Sequence, residues 1–250
     1  MKKDRLLSEY NIYGNKRSRN VLIQLGDDHD LARLQGQLSS LRKQAASSDW
    51  MLIMVPVEDW GHDLSPWKAP AAFGDEEFGD GASETLKFLL EEFIPALDQY
   101  LSGPSDHENT VEVDKTGSVL KGTELRRKYF LCGYSLAGLF ALWAAYQTDL
   151  FKGVAAVSPS VWYRGWLDYA RANHPLCSNI YLSLGTKEEK TRNPVMAAVG
   201  DAIREQYRLL CEENVPCQLD FNPGGHGSNS DYRMARGMAW LLKEYLKVTK

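Results

Sequence analysis

What this 250-residue chain has little of sets its bounds. Cysteine is scarce: the four residues Cys132, Cys177, Cys211 and Cys217 form no C-x-x-C pair and no zinc-type spacing. There is no excess of positive charge. The formal net charge is −4, with both signs spread along the chain, which argues against a nucleic-acid partner. No apolar run approaches the ~20 residues of a membrane span, and the stretch from Met1 to Glu9 has charges but no apolar segment of a signal peptide. No internal repeat and no interdomain linker interrupts the chain. These absences point to a cytoplasmic protein with no nucleic-acid partner, no membrane association, no metal and no cofactor. They fit one domain over residues 1–250 and leave homo-oligomerisation open.

What is present is material for a large core. With 44% hydrophobic residues, the chain can bury one, as α/β proteins of this size do. Leu6 to Gly14 reads as an initial strand, part of an edge hairpin. Val21-Leu-Ile-Gln-Leu25 and Met51-Leu-Ile-Met-Val-Pro-Val57 are the near-continuous apolar runs of strands covered on both faces. Helical patterns follow from Leu31 to about Ala46 and from Ala82 to Leu101. The alternation predicts a doubly wound, mainly parallel sheet with helices on both faces. The polar stretch from Ser102 to Lys121 is a surface insertion, with His107 solvated.

The chain is organised around Lys128-Tyr-Phe-Leu-Cys-Gly-Tyr-Ser135-Leu-Ala-Gly138. An apolar strand runs into a glycine-flanked serine and then into the helical segment Leu139 to Tyr146, the strand–turn–helix context of a G-x-S-x-G nucleophile elbow. The fifth position is Ala137 rather than glycine, with Gly138 keeping the next one small. Such a motif arises by chance in roughly one chain in five of this length, so it carries weight only with partners. Two are found downstream. Ile180-Tyr-Leu-Ser-Leu184 ends in Gly185-Thr-Lys-Glu188-Glu189, which places an acid three residues past a glycine at a strand end; Glu188 is favoured and Glu189 is the alternative. A long amphipathic helix from Val195 to Glu212 and a last strand from Pro216 to Phe221 then lead to Gly224-Gly-His226-Gly, before the final helix. Ser135, Glu188, His226 is the chain order of α/β-hydrolases.

An oxyanion needs N–H donors. Leu136, directly after the serine, supplies one, and the turn after the Val21–Leu25 strand supplies the other, with Asp27 favoured and Asp28 close behind. The acidic residues Asp27 to Asp30 around His29 are better read as the start of a helix than as a metal site. Two loops at the carboxyl edge carry aromatics: residues 58–73 with Trp60, Trp67 and Phe73, and Val157-Ser-Pro-Ser160-Val-Trp162-Tyr163. Trp60, Trp67 and Trp162 are the expected substrate-binding residues, since flat rigid rings suit an aromatic or compact group. His62 beside Asp63 is not read as a catalytic pair, because adjacent residues rarely face each other.

Together, Gly-Tyr-Ser135-Leu-Ala-Gly, Asp-Trp60 with Ser-Pro-Trp67, Val-Ser-Pro-Ser160-x-Trp162, Leu-Gly185-x-x-Glu188 and Gly-Gly-His226 resemble the putative-esterase family that includes esterase D and enterochelin trilactone esterases. The resemblance runs from about Val21 to Leu246. It implies an α/β-hydrolase fold with Ser135 as nucleophile and His226 as base, and leaves a Ser–His dyad open as an alternative to Glu188. The expected activity is serine-dependent hydrolysis of a small or aromatic ester, lactone or thioester through an acyl-enzyme. An acyltransferase on the same fold, or a non-catalytic hydrolase-like binding protein, are the alternatives.

Overall fold

A computed structural model describes residues 10–72, 74–102 and 126–248, with side chains through residue 245. Phe73, the beginning of the expected first strand, and the polar insertion with His107 lie outside the described residues. The described chain forms a seven-stranded sheet in the order β1-β3-β2-β4-β5-β6-β7. These strands are β1 (Ile12–Gly14), β2 (Asn20–Gly26), β3 (Met51–Pro56), β4 (Lys128–Tyr134), β5 (Phe151–Val157), β6 (Ile180–Gly185) and β7 (Cys217–Asn222). All neighbours are parallel except β1, which runs antiparallel to β3. The short first strand therefore pairs with β3 and not with its chain neighbour β2, so the expected edge hairpin does not form.

Strand alternation divides the core into two layers. Val21, Ile23 and Leu25 of β2, Ile53 of β3 and Leu131 of β4 face one side. Leu22, Leu52, Phe130 and Cys132 face the other. The first layer lies under α3 (Ala82–Phe88), α4 (Ile94–Ser102), α5 (Leu136–Ala144), α6 (Trp166–Ala172) and α8 (Val199–Glu212). The second lies under α1 (Asp28–Gln44) and α9 (Ser230–Val248). Burial on both faces is why these strands read as apolar runs with no polar alternation. Two short helices, α2 (Trp60–Asp63) and α7 (Pro194–Ala197), sit in loops.

The helix boundaries differ from the sequence expectation for local reasons. Helix α1 begins three residues earlier, at Asp28. The Asp27 side chain accepts from the His29 and Asp30 N–H groups, and the Asp30 side chain accepts in return from the Asp27 N–H, closing a capping box. The expected helix from Ala82 to Leu101 contains a π turn, Leu89–Phe93, in which the Ile94 N–H reaches the Leu89 carbonyl. Pro95 has no N–H to give the Glu91 carbonyl, and a wider turn just before it absorbs that gap. The expected helix from Val195 to Glu212 is divided at Ala198 into α7 and α8. Among the described residues no helix is long and apolar enough to cross a membrane.

Candidate active site

Strand β4 delivers Ser135 to the carboxyl edge of the sheet, and α5 starts at the next residue. Ser135 adopts φ 59° and ψ −120°, a conformation costly for a residue with a side chain and typical of a strained functional turn. Gly133 is required by the turn: a Cβ there would stand 2.1 Å from the Ala137 carbonyl oxygen. Ala137 itself is fully buried, so its methyl is accommodated where the motif more often has glycine. Helix α5 is buried along its whole length, which pins the elbow; a helix apolar all round has no solvent face.

Glu188 and His226 come from the ends of β6 and β7, the second and third strands out from β4. The carboxyl tip of β6 leads through Gly185 to a 3₁₀ turn, Glu188–Lys190, and β7 leads to the His226 loop. His226 Nε2 lies 3.0 Å from Ser135 Oγ, and His226 Nδ1 lies 2.7 Å from Glu188 Oε2. With Glu188 ionised, Nδ1 carries the ring proton and Nε2 is left to accept from the serine hydroxyl. The second carboxylate oxygen of Glu188 accepts from the Gly185 N–H and from the Ser158 hydroxyl, each at 2.6 Å. Burial alone would raise this carboxyl. The hydrogen bonds from His226 and Ser158, the His226 charge and the Gly185 N–H outweigh it and hold Glu188 below the ordinary glutamate range.

The two loops are tied by backbone bonds: the Thr186 N–H donates to the Asn222 carbonyl at 2.8 Å and the Lys187 N–H to the Gly224 carbonyl at 2.9 Å. A Cβ at Gly185 would fall 2.6 Å from the Gly224 carbonyl oxygen and 2.8 Å from Glu188 Oε1. The glycine three residues before the acid is thus a close-packing requirement. Glu189 points elsewhere, pairing with Arg204 Nη1 at 2.9 Å and Nη2 at 3.3 Å.

Continuing the pairing of Gln24 with Cys132 brings Asp27 level with Ser135, and Leu136 contributes an N–H in the first turn of α5, where helix donors have no intrahelical acceptor. The Asp27 N–H is not vacant, however. It donates to Asp30 Oδ2 at 3.3 Å, a long bond that an oxyanion would have to displace. The acidic cluster around His29 serves as this helix start, and among the described residues no group of three or more His, Cys, Asp and Glu could hold a metal ion.

Of the three tryptophans, the structure brings Trp162 to the cleft. A cavity of about 250 Å³ is lined by Ser158, Trp162, Lys187, Glu188, Met196 and His226, among others. A second, of about 330 Å³, is lined by Ala69, Phe78, Trp162, Tyr163, Arg164 and Val195 among others. Trp162 is common to both. Trp67 lines neither: its indole N–H donates to the Arg164 carbonyl at 2.8 Å, and its ring packs on Tyr163 and Tyr169. Trp60, half-buried against the core, also lines neither. Loop 58–73 therefore spends Trp67 on its own packing, the outcome that competes with pocket-building whenever a loop needs a small core. His62 Nδ1 and Asp63 Oδ1 do meet, at 3.1 Å, contrary to the expectation for adjacent residues; neither is bonded to Ser135 or His226.

Sequence reasoning missed Ser158, Tyr134 and Arg233. Ser158 directly follows β5, with φ 45°, and the Ser-Pro step there was the available signal. Tyr134 lies inside the elbow motif, where it read as spacer. Arg233 lies in the last helix with no local mark at all.

Comparisons with known proteins come to the same region of fold space. A model of the family described as "Putative esterase" matches residues 8–233. No curated protein matches the sequence. Among solved structures, the siderophore hydrolase EstA from Aspergillus nidulans superimposes with a TM-score of 0.66 at 20% identity, covering 94% of this chain and 89% of that one. An IroE-like serine hydrolase from Shewanella oneidensis gives 0.67 at 15%, over 94% and 76%. The enterobactin hydrolase IroE in complex with DFP gives 0.59 at 17%, over 93% and 88%. At such identities the likeness is one of fold, the α/β-hydrolase fold.

Proposed function

The chain belongs to the Putative esterase family and is a carboxylic-ester hydrolase, and from this premise we propose that it works through an acyl-enzyme on Ser135. The observation that carries the reading is the unbroken relay from Ser135 Oγ to His226 Nε2 at 3.0 Å and from His226 Nδ1 to Glu188 at 2.7 Å. His226 takes the hydroxyl proton as Ser135 attacks the ester carbonyl. Glu188 fixes the imidazole tautomer and stabilises the imidazolium. The Leu136 N–H and the Asp27 N–H, once released from Asp30, hold the oxyanion. His226 then returns its proton to the departing alcohol, and water, activated by the same imidazole, attacks the acyl-enzyme and frees Ser135.

The substrate class we favour is a compact or aromatic ester, lactone or thioester. Two adjoining cavities of about 250 and 330 Å³ suit a ring better than a long alkyl chain, and Phe78, Trp162 and Tyr163 supply ring faces. Two experiments test the reading. A fluorophosphonate probe should label Ser135, and a panel of p-nitrophenyl, lactone, thioester and feruloyl substrates should show turnover highest on aryl or short-chain members. Absence of labelling together with turnover unaffected by the probe would refute the acyl-enzyme.

A further inference from the structure

Glu188 has one more partner, and it comes from the opposite layer of the molecule. Arg233 on α9 is 1% exposed. Its Nη2 donates to Glu188 Oε1 at 3.0 Å and to the Ser158 hydroxyl oxygen. Its Nη1 donates to the Tyr134 hydroxyl at 2.9 Å. The Tyr134 hydroxyl in turn donates to the backbone carbonyl of His226, and the two rings lie 5.3 Å apart. One guanidinium thus reaches the acid directly and the loop of the base through a phenol.

The arrangement is a poor one for stability alone. Buried Arg233 Nε has no hydrogen-bond partner, and a buried ion pair is often no more stabilising than apolar residues of similar volume. The neighbouring α9 residues Met234, Ala235 and Met238 show what packs well there. What an apolar side chain cannot do is set the charge next to Glu188. The other charged or titratable groups facing this cluster are His226 and Lys187 on the cleft side, Tyr134 from β4, and Arg33 from α1, whose charge acts on the Tyr134 hydroxyl. Burial raises that hydroxyl above the usual tyrosine range, which keeps it a donor to the His226 loop.

We propose that Arg233 is a positioning residue of the ester hydrolase, its guanidinium fixing the Glu188 carboxylate and, through Tyr134, the backbone of the His226 loop. The proposal rests on the Ser135–His226–Glu188 reading above. Its electrostatic consequence has a definite sign. A cation beside the Glu188–His226 pair disfavours any added proton on that pair, whichever member carries it. Removing the cation must therefore move the acid limb of the activity profile to higher pH.

The test compares Arg233→Met, Arg233→Lys and Tyr134→Phe by kcat and kcat/KM across pH, with fluorophosphonate labelling of the unmutated protein as a control. Arg233→Met should lower kcat about 10–100-fold, the scale at which supporting residues act in other sites, leave KM within about threefold, and shift the acid limb upward by about one pH unit or more. Arg233→Lys keeps the charge but cannot serve both partners; its acid limb should stay with wild type while kcat falls. Tyr134→Phe should lower kcat severalfold with the limb unmoved. An acid limb unchanged in Arg233→Met, with activity lost only in proportion to folded protein by circular dichroism, overturns the proposal. Should Arg233→Met not fold, Arg233→Lys decides: kcat within about twofold of wild type at every pH rejects the positioning role. Failure of Ser135 to label in the unmutated protein would instead sink the serine mechanism, independently of Arg233.

Discussion

Glu188 and Glu189 are adjacent in the chain, yet their carboxylates have different destinations: Glu188, 5% exposed, meets His226 Nδ1 at 2.7 Å, whereas Glu189, 33% exposed, pairs with Arg204 at 2.9 Å. The 3₁₀ turn separates them, directing one inward to the strand ends and the other outward to α8. Glu188→Gln should therefore lower kcat by orders of magnitude, roughly 10³–10⁴-fold if the tautomer of His226 depends on it. Glu189→Gln should stay within about threefold, as an exposed ion pair contributes little. Steady-state kinetics of the two variants check this, and equal losses would refute it.

Ser135→Ala and His226→Ala should each cost on the order of 10⁴-fold or more in kcat, because neither group is a competent nucleophile or base without the other. The fold should survive both. The backbone makes a further distinction. At φ 59° an alanine keeps the strain of the elbow, whereas glycine relieves it, so Ser135→Gly should be more stable than Ser135→Ala by about 1–3 kcal/mol. Urea titration of the two inactive variants measures that difference, and a less stable glycine variant would contradict it.

Trp162 and Trp67 should separate cleanly in their effects. Trp162 walls both cavities, so Trp162→Ala should change the ratio of kcat/KM for aryl against short alkyl esters by about 1–3 kcal/mol. Trp67 is held by the Arg164 carbonyl and the rings of Tyr163 and Tyr169. Trp67→Ala should lower stability by about 2 kcal/mol or more with the substrate ranking unchanged. An unaltered ranking in Trp162→Ala, or a maximum on twelve-carbon esters, would rule out the aromatic pocket.

Asp30 gives a pH dependence of stability. Burial pushes its carboxyl up to about 6, although the Asp27 N–H pulls against this. A carboxyl raised in the folded state binds its proton more tightly there than in the unfolded chain. The stability it lends is complete below the unfolded value, about 4, and is lost as pH rises toward 6. Asp30→Asn keeps an acceptor for the Asp27 N–H and cannot ionise. Its urea midpoint should match wild type near pH 4 and exceed it at pH 7.5; a deficit at pH 7.5 would show that the charged carboxylate is needed for the capping box.

The sequence by itself determined the buried central strands, the elbow and the order of the candidate residues. Continuous apolar runs such as Val21 to Leu25 specify strands buried on both faces, and Gly133 and Gly185 mark backbone approaches that admit no Cβ. Both are local properties of the chain, governed by period and by side-chain size. Only the tertiary structure decided between Glu188 and Glu189, set Trp67 to packing and Trp162 to the cleft, and gave the Asp27 N–H to Asp30. It alone joined Arg233 to Glu188 across 45 residues of chain. Those outcomes depend on which strand ends and helices become neighbours. A side chain's partner is fixed by distances in space, and residues from β4, β5, β6 and α9 share no local pattern that could announce their meeting.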